Sequence, residues 1–299
     1  MAEISCDDRI PDNIVRLSIK DPQAVQSAYE CGKLVILEDA RIDADYAFLS
    51  SIPSPKAAHP GREKFCLARQ ERWKGHDRRE AVWHKFETGP FQGDPEGYAR
   101  FQREVKSVNG QMNALVEHLF GSLPFRTRSI TWKFQRITGE NLHIDNLQGC
   151  QKLAQIRLFA NLHTAPRVWG IAKHWRAYAS RLFETASLEE VLHDYYQFNT
   201  RLSVAAFGYS HHTTDDPRHV VTFNPGEVWL ANSAIVAHQV RSGDLLTIAH
   251  YEYPYKGYVR KTEALPALIR QLGVEKLGYL GYHQKVLSLK LDPRRMGIG

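Results

Sequence analysis

Six short apolar runs with strand character crowd the second half of the chain, at residues 129–137, 154–163, 219–223, 227–231, 235–240 and 245–253. Residues of high β propensity fill them, and the last four are separated by Asn224-Pro225-Gly226, Asn232-Ser233 and Arg241-Ser242-Gly243-Asp244, each with the composition of a tight turn. Short antiparallel strands in close succession have to cover their apolar face with a second sheet. The runs therefore predict a double-sheet jelly roll.

Helical periodicity dominates the first half. Tyr98, Phe101, Val105, Val108, Met112, Leu115 and Leu119 recur at helical spacing behind Asp94-Pro95-Glu96, which predicts one long amphipathic helix within residues 94–123. A shorter helix over 21–31 leads into an apolar strand at 33–37, and the Pro-, Lys- and Arg-rich stretch 53–75 reads as a long loop. Residues 177–184 and 188–199 look helical and would interrupt the strands as an insertion. The expected class is α+β, one domain over 1–299, with a helical portion to about 125 and a β-core over about 126–255.

Hydrophobic residues at 43% and charged residues at 24% are those of an ordinary folded protein, which excludes disordered and collagenous classes. No apolar stretch approaches the ~18 residues of a membrane span, and the N-terminus has no secretory signal pattern. Cys6, Cys31, Cys66 and Cys150 are scattered without a CxxC pair, so neither zinc nor a disulfide framework is indicated and a reducing cytoplasm fits. The net charge of +6 suits a nucleic acid, an anionic membrane surface touched peripherally, a carboxylated or phosphorylated small molecule, or simply solubility.

Chemistry concentrates in Leu142-His143-Ile144-Asp145. The two-residue period of an extended segment puts His143 and Asp145 on one face and Ile144 on the other, so both could bind one metal. A third ligand is offered by His238, which shares a strand face with aliphatic Val236 and Val240. A lone histidine on an apolar face usually hydrogen-bonds within a core. Two histidines and a carboxylate, however, are the facial set that leaves positions open on iron(II), although zinc accepts the same ligands.

His-x-Asp, a long gap and a histidine after a Pro-Gly strand pair together resemble the Fe(II)/2-oxoglutarate dioxygenase superfamily. A more specific likeness lies in Ser129-Ile130-Thr131-Trp132-Lys133, Leu142-His143-Ile144-Asp145, Arg157-Leu158-Phe159-Ala160-Asn161 and Pro166-Arg167-Val168-Trp169. In order and spacing these resemble the Kdo hydroxylase family, which acts on the 3-deoxy-manno-octulosonic acid sugar of lipopolysaccharide. The resemblance implies a double-stranded β-helix, with Fe(II) held by His143, Asp145 and His238, 2-oxoglutarate and O₂ as co-substrates, and hydroxylation as the outcome. With that substrate, the enzyme would work in the cytoplasm, at most peripheral to the inner membrane.

The chain departs from the superfamily after His238. It has no Arg or Lys between Thr247 and Tyr253, where many members carry the residue that grips the far carboxylate of 2-oxoglutarate. Arg157, which shares a strand face with Phe159 and Asn161, is the first candidate for that role, Lys133 the second and Arg241, in a turn, the third. Arg167, Trp169, Lys173 and His174 are pocket candidates, although the Arg167 run also reads as an edge strand. His211 and His212 sit in a polar stretch that reads as an exposed loop, not a second metal site. Trp132, Trp169, Trp175 and Trp229 lack interleaved cations and read as core or pocket walls, so nucleic-acid binding is not expected. Two alternatives stay open: a tailoring oxygenase of a natural product, and a non-catalytic jelly roll that binds carbohydrate or protein.

Overall fold

The computed structural model describes residues 1–54, 64–70, 77–137, 139–146, 151–208 and 216–291, with backbone alone at 64–70, 77–81 and 135–137. In chain order the elements are β1 (Glu3–Ser5), β2 (Ile14–Leu17), α1 (Pro22–Glu30), β3 (Leu34–Arg41), α2 (Tyr46–Ser51), β4 (Lys64–Gln70), α3 (Asp77–Glu87), α4 (Pro95–Phe120), β5 (Thr127–Ile137) and β6 (Leu153–Asn161). They continue with β7 (Arg167–His174), α5 (Trp175–Leu182), α6 (Tyr195–Phe207), β8 (His219–Phe223), β9 (Glu227–Leu230), β10 (Val236–Pro254) and α7 (Leu265–Leu291).

The strands form a curled mixed sheet in the order β1-β8-β7-β10-β6-β9-β3-β2, with β5 also on β10 and β4 beyond it. The corner is β10. Its first half pairs antiparallel with β7, His238 opposite Ile171, and its second half runs between β5 and β6, Ile248 opposite Thr131 and Phe159. Register shifts at Val240/Ser242 and Gly243/Leu245 bend it from one layer into the other, as bulges do at the corners of sandwiches and barrels. Two layers joined through such a corner, with helices outside, make a jelly roll, as the alternating runs predict.

Strand alternation decides what each layer buries. From β6, Ile156, Leu158 and Ala160 face outward into a core shared with Val105, Val108 and Met112 of α4, while Phe159 faces inward. Between the layers Phe159, Trp169, Phe223, Trp229, Val240 and Ile248 form a second core, in which Trp229 stacks on Phe223 at 3.8 Å between ring centroids. A third core lies under α5, α6 and α7, where Leu142 and Ile144 meet Trp175, Phe198 and Leu268.

The long helix starts where its signals lie: Asp94 caps it by accepting from the Gly97 amide at 2.9 Å, and Pro95 follows. Four expectations need correction. Residues 241–244 do not form a turn, because ladder pairing to β7 on one side and β5 on the other carries the strand through them. Part of the stretch 53–75 is strand, since β4 pairs with β5, Phe65 opposite Trp132. The helix expected over 188–199 divides into a 3₁₀ turn, Leu188–Val191, and α6, which starts after Asp194 and runs to Phe207. β7 is not an edge strand, lying between β8 and β10. The remaining loop residues 55–63 and 71–76, and His211 and His212, lie outside the described residues. Cys6 and Cys31 are free thiols, and the side chains of Cys66 and Cys150 are outside the description. Among the described residues no helix is long and apolar enough to cross a membrane.

Candidate metal centre

The segment 140–146 is stitched along the first half of β10. Glu140 donates its amide to the Val240 carbonyl at 2.7 Å, His143 and His238 exchange both backbone hydrogen bonds at 2.9 Å, and Asp145 donates to the Ser233 carbonyl at 2.8 Å. Residues paired in this way carry their side chains on the same face. The imidazoles of His143 and His238 accordingly lie 4.4 Å apart between centroids. Leu142 and Ile144 take the opposite face and are buried under the helices, so the predicted alternation is present.

Each imidazole is oriented by its own strand. His143 Nδ1 lies 2.8 Å from the Asn141 carbonyl and His238 Nδ1 3.1 Å from that of Val236. A carbonyl only accepts, so both Nδ1 atoms carry the proton and both Nε2 atoms present a lone pair. Those Nε2 atoms lie 3.8 Å from Oδ1 and Oδ2 of Asp145 respectively, and ligand atoms from the three residues all lie within 4.8 Å of one another. Among the described residues this is the one cluster of histidine, cysteine and carboxylate groups compact enough for a metal. Two imidazoles, one carboxylate and anchored Nδ1–H groups fit a divalent metal with open coordination positions.

The electrostatics suit ligand duty. Burial pushes the pKa of His238 down to about 4, with the neighbouring His143 adding to the effect, so it is neutral and ready to bind. Burial would raise Asp145, but the Arg157 guanidinium, His238 and His143 outweigh it and hold the carboxyl well below its usual range. Arg157 Nη1 donates to Asp145 Oδ2 and, at 3.0 Å, to Ser233 Oγ.

The three residues open onto a cavity of about 290 Å³. Phe159, Trp169, Val240, Leu246 and Ile248 make its apolar wall, and Lys133, Glu140, Arg157 and Arg167 its charged one. Trp169 stacks on His238 at 5.5 Å between ring centroids, which adds an aromatic contact that holds the ring. Lys133 is tied to Glu140 at 3.0 Å, and burial of that carboxylate is outweighed by Lys133, so its pKa is lowered.

Other candidates from the sequence sit elsewhere. Asn161 spends its amide on the backbone: Nδ2 donates to the Ala165 and Phe223 carbonyls at 3.0 Å, and Oδ1 accepts from the His163 amide at 3.1 Å. Arg241 is exposed at the β10 bulge, and His174 caps α5 by accepting from the Arg176 amide. Lys173 is not part of the lining, and Trp132, Trp175 and Trp229 belong to the three separate cores. Glu140 and Ser233 were not anticipated. Their roles depend on where segment 140–146 crosses β10, and no local pattern marks that crossing.

No family model matches the chain, and neither does any curated protein. Among solved structures it is similar to the Kdo hydroxylase KdoO, described as a non-heme Fe(II) alphaketoglutarate dependent dioxygenase. With the complex of that protein with alphaketoglutarate and Fe(III) it shares 13% identity, covering 86% of this chain and 95% of the other, at a TM-score of 0.59. The apo structure gives 13% identity, the same coverages and a TM-score of 0.61. The complex with succinate and Fe(III) gives 12%, 87% and 95% coverage, and 0.60. The resemblance read from residues 129–169 is thereby borne out where such low identity permits: the chain has the fold of these Kdo hydroxylase structures.

Proposed function

We propose that the chain is a mononuclear non-haem Fe(II)- and 2-oxoglutarate-dependent dioxygenase that hydroxylates an unactivated C–H bond of an anionic small molecule or sugar, with Kdo of lipopolysaccharide as the first candidate. The observation that carries the proposal is the pair of Nε2 lone pairs, fixed by Nδ1–H bonds to carbonyls, converging with Asp145 on one cavity. With Fe(II), 2-oxoglutarate and O₂ bound, such a centre supplies oxidative decarboxylation of the 2-oxo acid to succinate and CO₂, coupled to insertion of one oxygen atom into the substrate C–H bond.

The protein's part is to hold and to exclude. His143, Asp145 and His238 take one side of the metal and leave the cavity side to the co-substrates. Arg157 and Ser233 fix the Asp145 carboxylate, so that its orientation does not have to be found at the moment of binding. The wall of Phe159, Trp169, Leu246 and Ile248 keeps water from the reacting region. Lys133, Arg157 and Arg167 give the cavity a cationic side suited to the charges of 2-oxoglutarate and of an acidic substrate. A carboxylate in the ligand set leaves no place for a halide, which favours hydroxylation over halogenation.

The test is aerobic turnover of iron-loaded protein, measured as succinate formed from 2-oxoglutarate, alone and with a panel of acidic sugars that includes Kdo-bearing lipid. The expected result is slow uncoupled succinate formation that a matching substrate accelerates, with one oxygen atom from O₂ in the product. Folded protein that retains no iron and forms no succinate would instead favour the non-catalytic jelly roll.

A further inference from the structure

The net charge is not spread along the chain. Residues 256–299 hold nine Lys and Arg against three Asp and Glu, whereas residues 1–255 hold 30 of each sign, so the whole +6 lies in the last stretch. Six of these cations, Lys256, Arg260, Lys261, Arg270, Lys276 and Lys290, are exposed, and Lys285 is tied to Glu190. Of the three acids, Glu275 is taken by Arg176 at 2.6 Å. A surface block of one sign attracts a partner of the other.

The same stretch carries the exposed apolar side chains. Among the described residues the large apolar groups that stand in solvent are Met1 and five from this stretch, Val259, Tyr279, Leu280, Leu287 and Leu291. Scattered exposed leucines are ordinary, but these are aligned. α7 breaks at Gly278, and its second half bends back toward the first: the Tyr282 ring lies against Gly273, which a straight helix would hold about 13 Å away. In that second half Tyr282, Val286 and Leu289 recur at i, i+4 and i+7 and turn inward, the first two into the core under α5 and α6. Leu280, Leu287 and Leu291 recur at i, i+7 and i+11 on the opposite side, 73%, 58% and 59% exposed. At 3.6 residues per turn they fall within about 40° of one another, in a line about 16 Å long.

An apolar line on one helix face with cations around it is the pattern of a helix lying in the plane of a bilayer. Leucines suit the acyl boundary, and long Lys and Arg side chains keep their charge among the headgroups. A second copy of the chain fits this face poorly, because pairing through it would bring two cationic blocks together.

We propose that the solvent face of α7 beyond Gly278 lies on an anionic membrane surface, with Leu280, Leu287 and Leu291 in the acyl boundary and the exposed cations of residues 256–290 on the anionic headgroups. Such contact does not depend on the metal centre, so the two stand or fall separately.

The test is co-sedimentation of the full chain with vesicles of phosphatidylcholine, with and without phosphatidylglycerol, at low and high salt. Wild type should bind the anionic vesicles at least about 10-fold more tightly than the neutral ones, and high salt should remove most of the difference. The combined substitution Leu280→Gln, Leu287→Gln and Leu291→Gln should weaken binding to anionic vesicles by about 100-fold while melting temperature and Fe(II) affinity match wild type. Lys276→Glu with Lys290→Glu should lower the affinity by about 10-fold and reduce its salt dependence. If the triple variant does not fold, Leu287→Gln alone carries the test, with an expected loss of about 5-fold. Wild type that stays in the supernatant with anionic vesicles, or folded leucine variants that bind as wild type does, would overturn the membrane contact. So would a dimer in sedimentation velocity that the leucine variants abolish, seen without vesicle binding, which would assign the face to a second copy.

Discussion

Two imidazoles whose Nδ1 protons are spent on carbonyls can offer only Nε2, and a carboxylate held from behind by a guanidinium can offer only its free face. These single-residue constraints make the site specific before any ligand arrives. Replacing Arg157 with Met should weaken Fe(II) binding by about 10- to 100-fold while the fold is kept, measured by competition against a chelator; unchanged affinity would show that Asp145 needs no such support. His174 gives a prediction about stability. Burial, aided by Arg176, pushes its pKa down to about 4, Nδ1 accepts from the Arg176 amide at 3.2 Å, and Nε2 has no partner among the described residues. The folded-state pKa is lower than the ordinary ~6.5, so from about pH 6.5 down to 4 the unfolded chain takes up a proton that the folded chain refuses. Stability should fall across that window by up to roughly 3 kcal/mol. His174→Asn keeps a cap acceptor and should flatten this acid limb in pH-dependent denaturant melts. The triad could be read from sequence because strand period alone puts His143 with Asp145 and His238 with Val236 and Val240. Arg157 was legible as a cavity-lining cation able to pair with a carboxylate, but not as the partner of Asp145, because that contact joins two segments that meet only in the folded sheet.

Elements carry the site through their ends and corners. Asp94→Ala should cost about 1 kcal/mol by removing the cap of α4, the helix that covers the outer face of β6, and thermal unfolding would detect it. At the β10 corner, Gly243→Ala meets both an unfavourable φ and the Arg167 side chain, and should cost more than about 1 kcal/mol in denaturant melts. Wild-type stability in that variant would mean that the corner tolerates a side chain. The long helix and most strands were legible because periodicity and caps agree within each element. The corner was not, since Arg241-Ser242-Gly243-Asp244 has turn composition and only pairing to strands distant in sequence keeps it extended. The strand β4 was hidden for the same reason. α7 carried no clear amphipathic stripe: its first half buries Leu265, Leu268 and Leu272, and past the break at Gly278 (φ 72°) Leu280, Leu287 and Leu291 are exposed.

At the scale of the whole molecule, β10 belongs to both layers, and its first half holds His238 while its second half forms the wall with Leu246 and Ile248. The candidate ligand His238 is thus delivered by the element that also closes the sandwich, and segment 140–146, with the candidates His143 and Asp145, is fastened to the same strand. A fold shared at 13% identity with Kdo hydroxylase structures sets where a site can be, and the side chains described above argue what it does. The substrate was not legible at this scale, because a net charge of +6 suits any acid. The most direct measurement is anaerobic reconstitution with Fe(II) and 2-oxoglutarate, following the weak visible charge-transfer band in wild type and in His143→Ala and His238→Ala proteins. A band in wild type that is absent from both folded variants is the expected result; no band in folded wild type, or a band that survives loss of either histidine, would contradict the proposed centre.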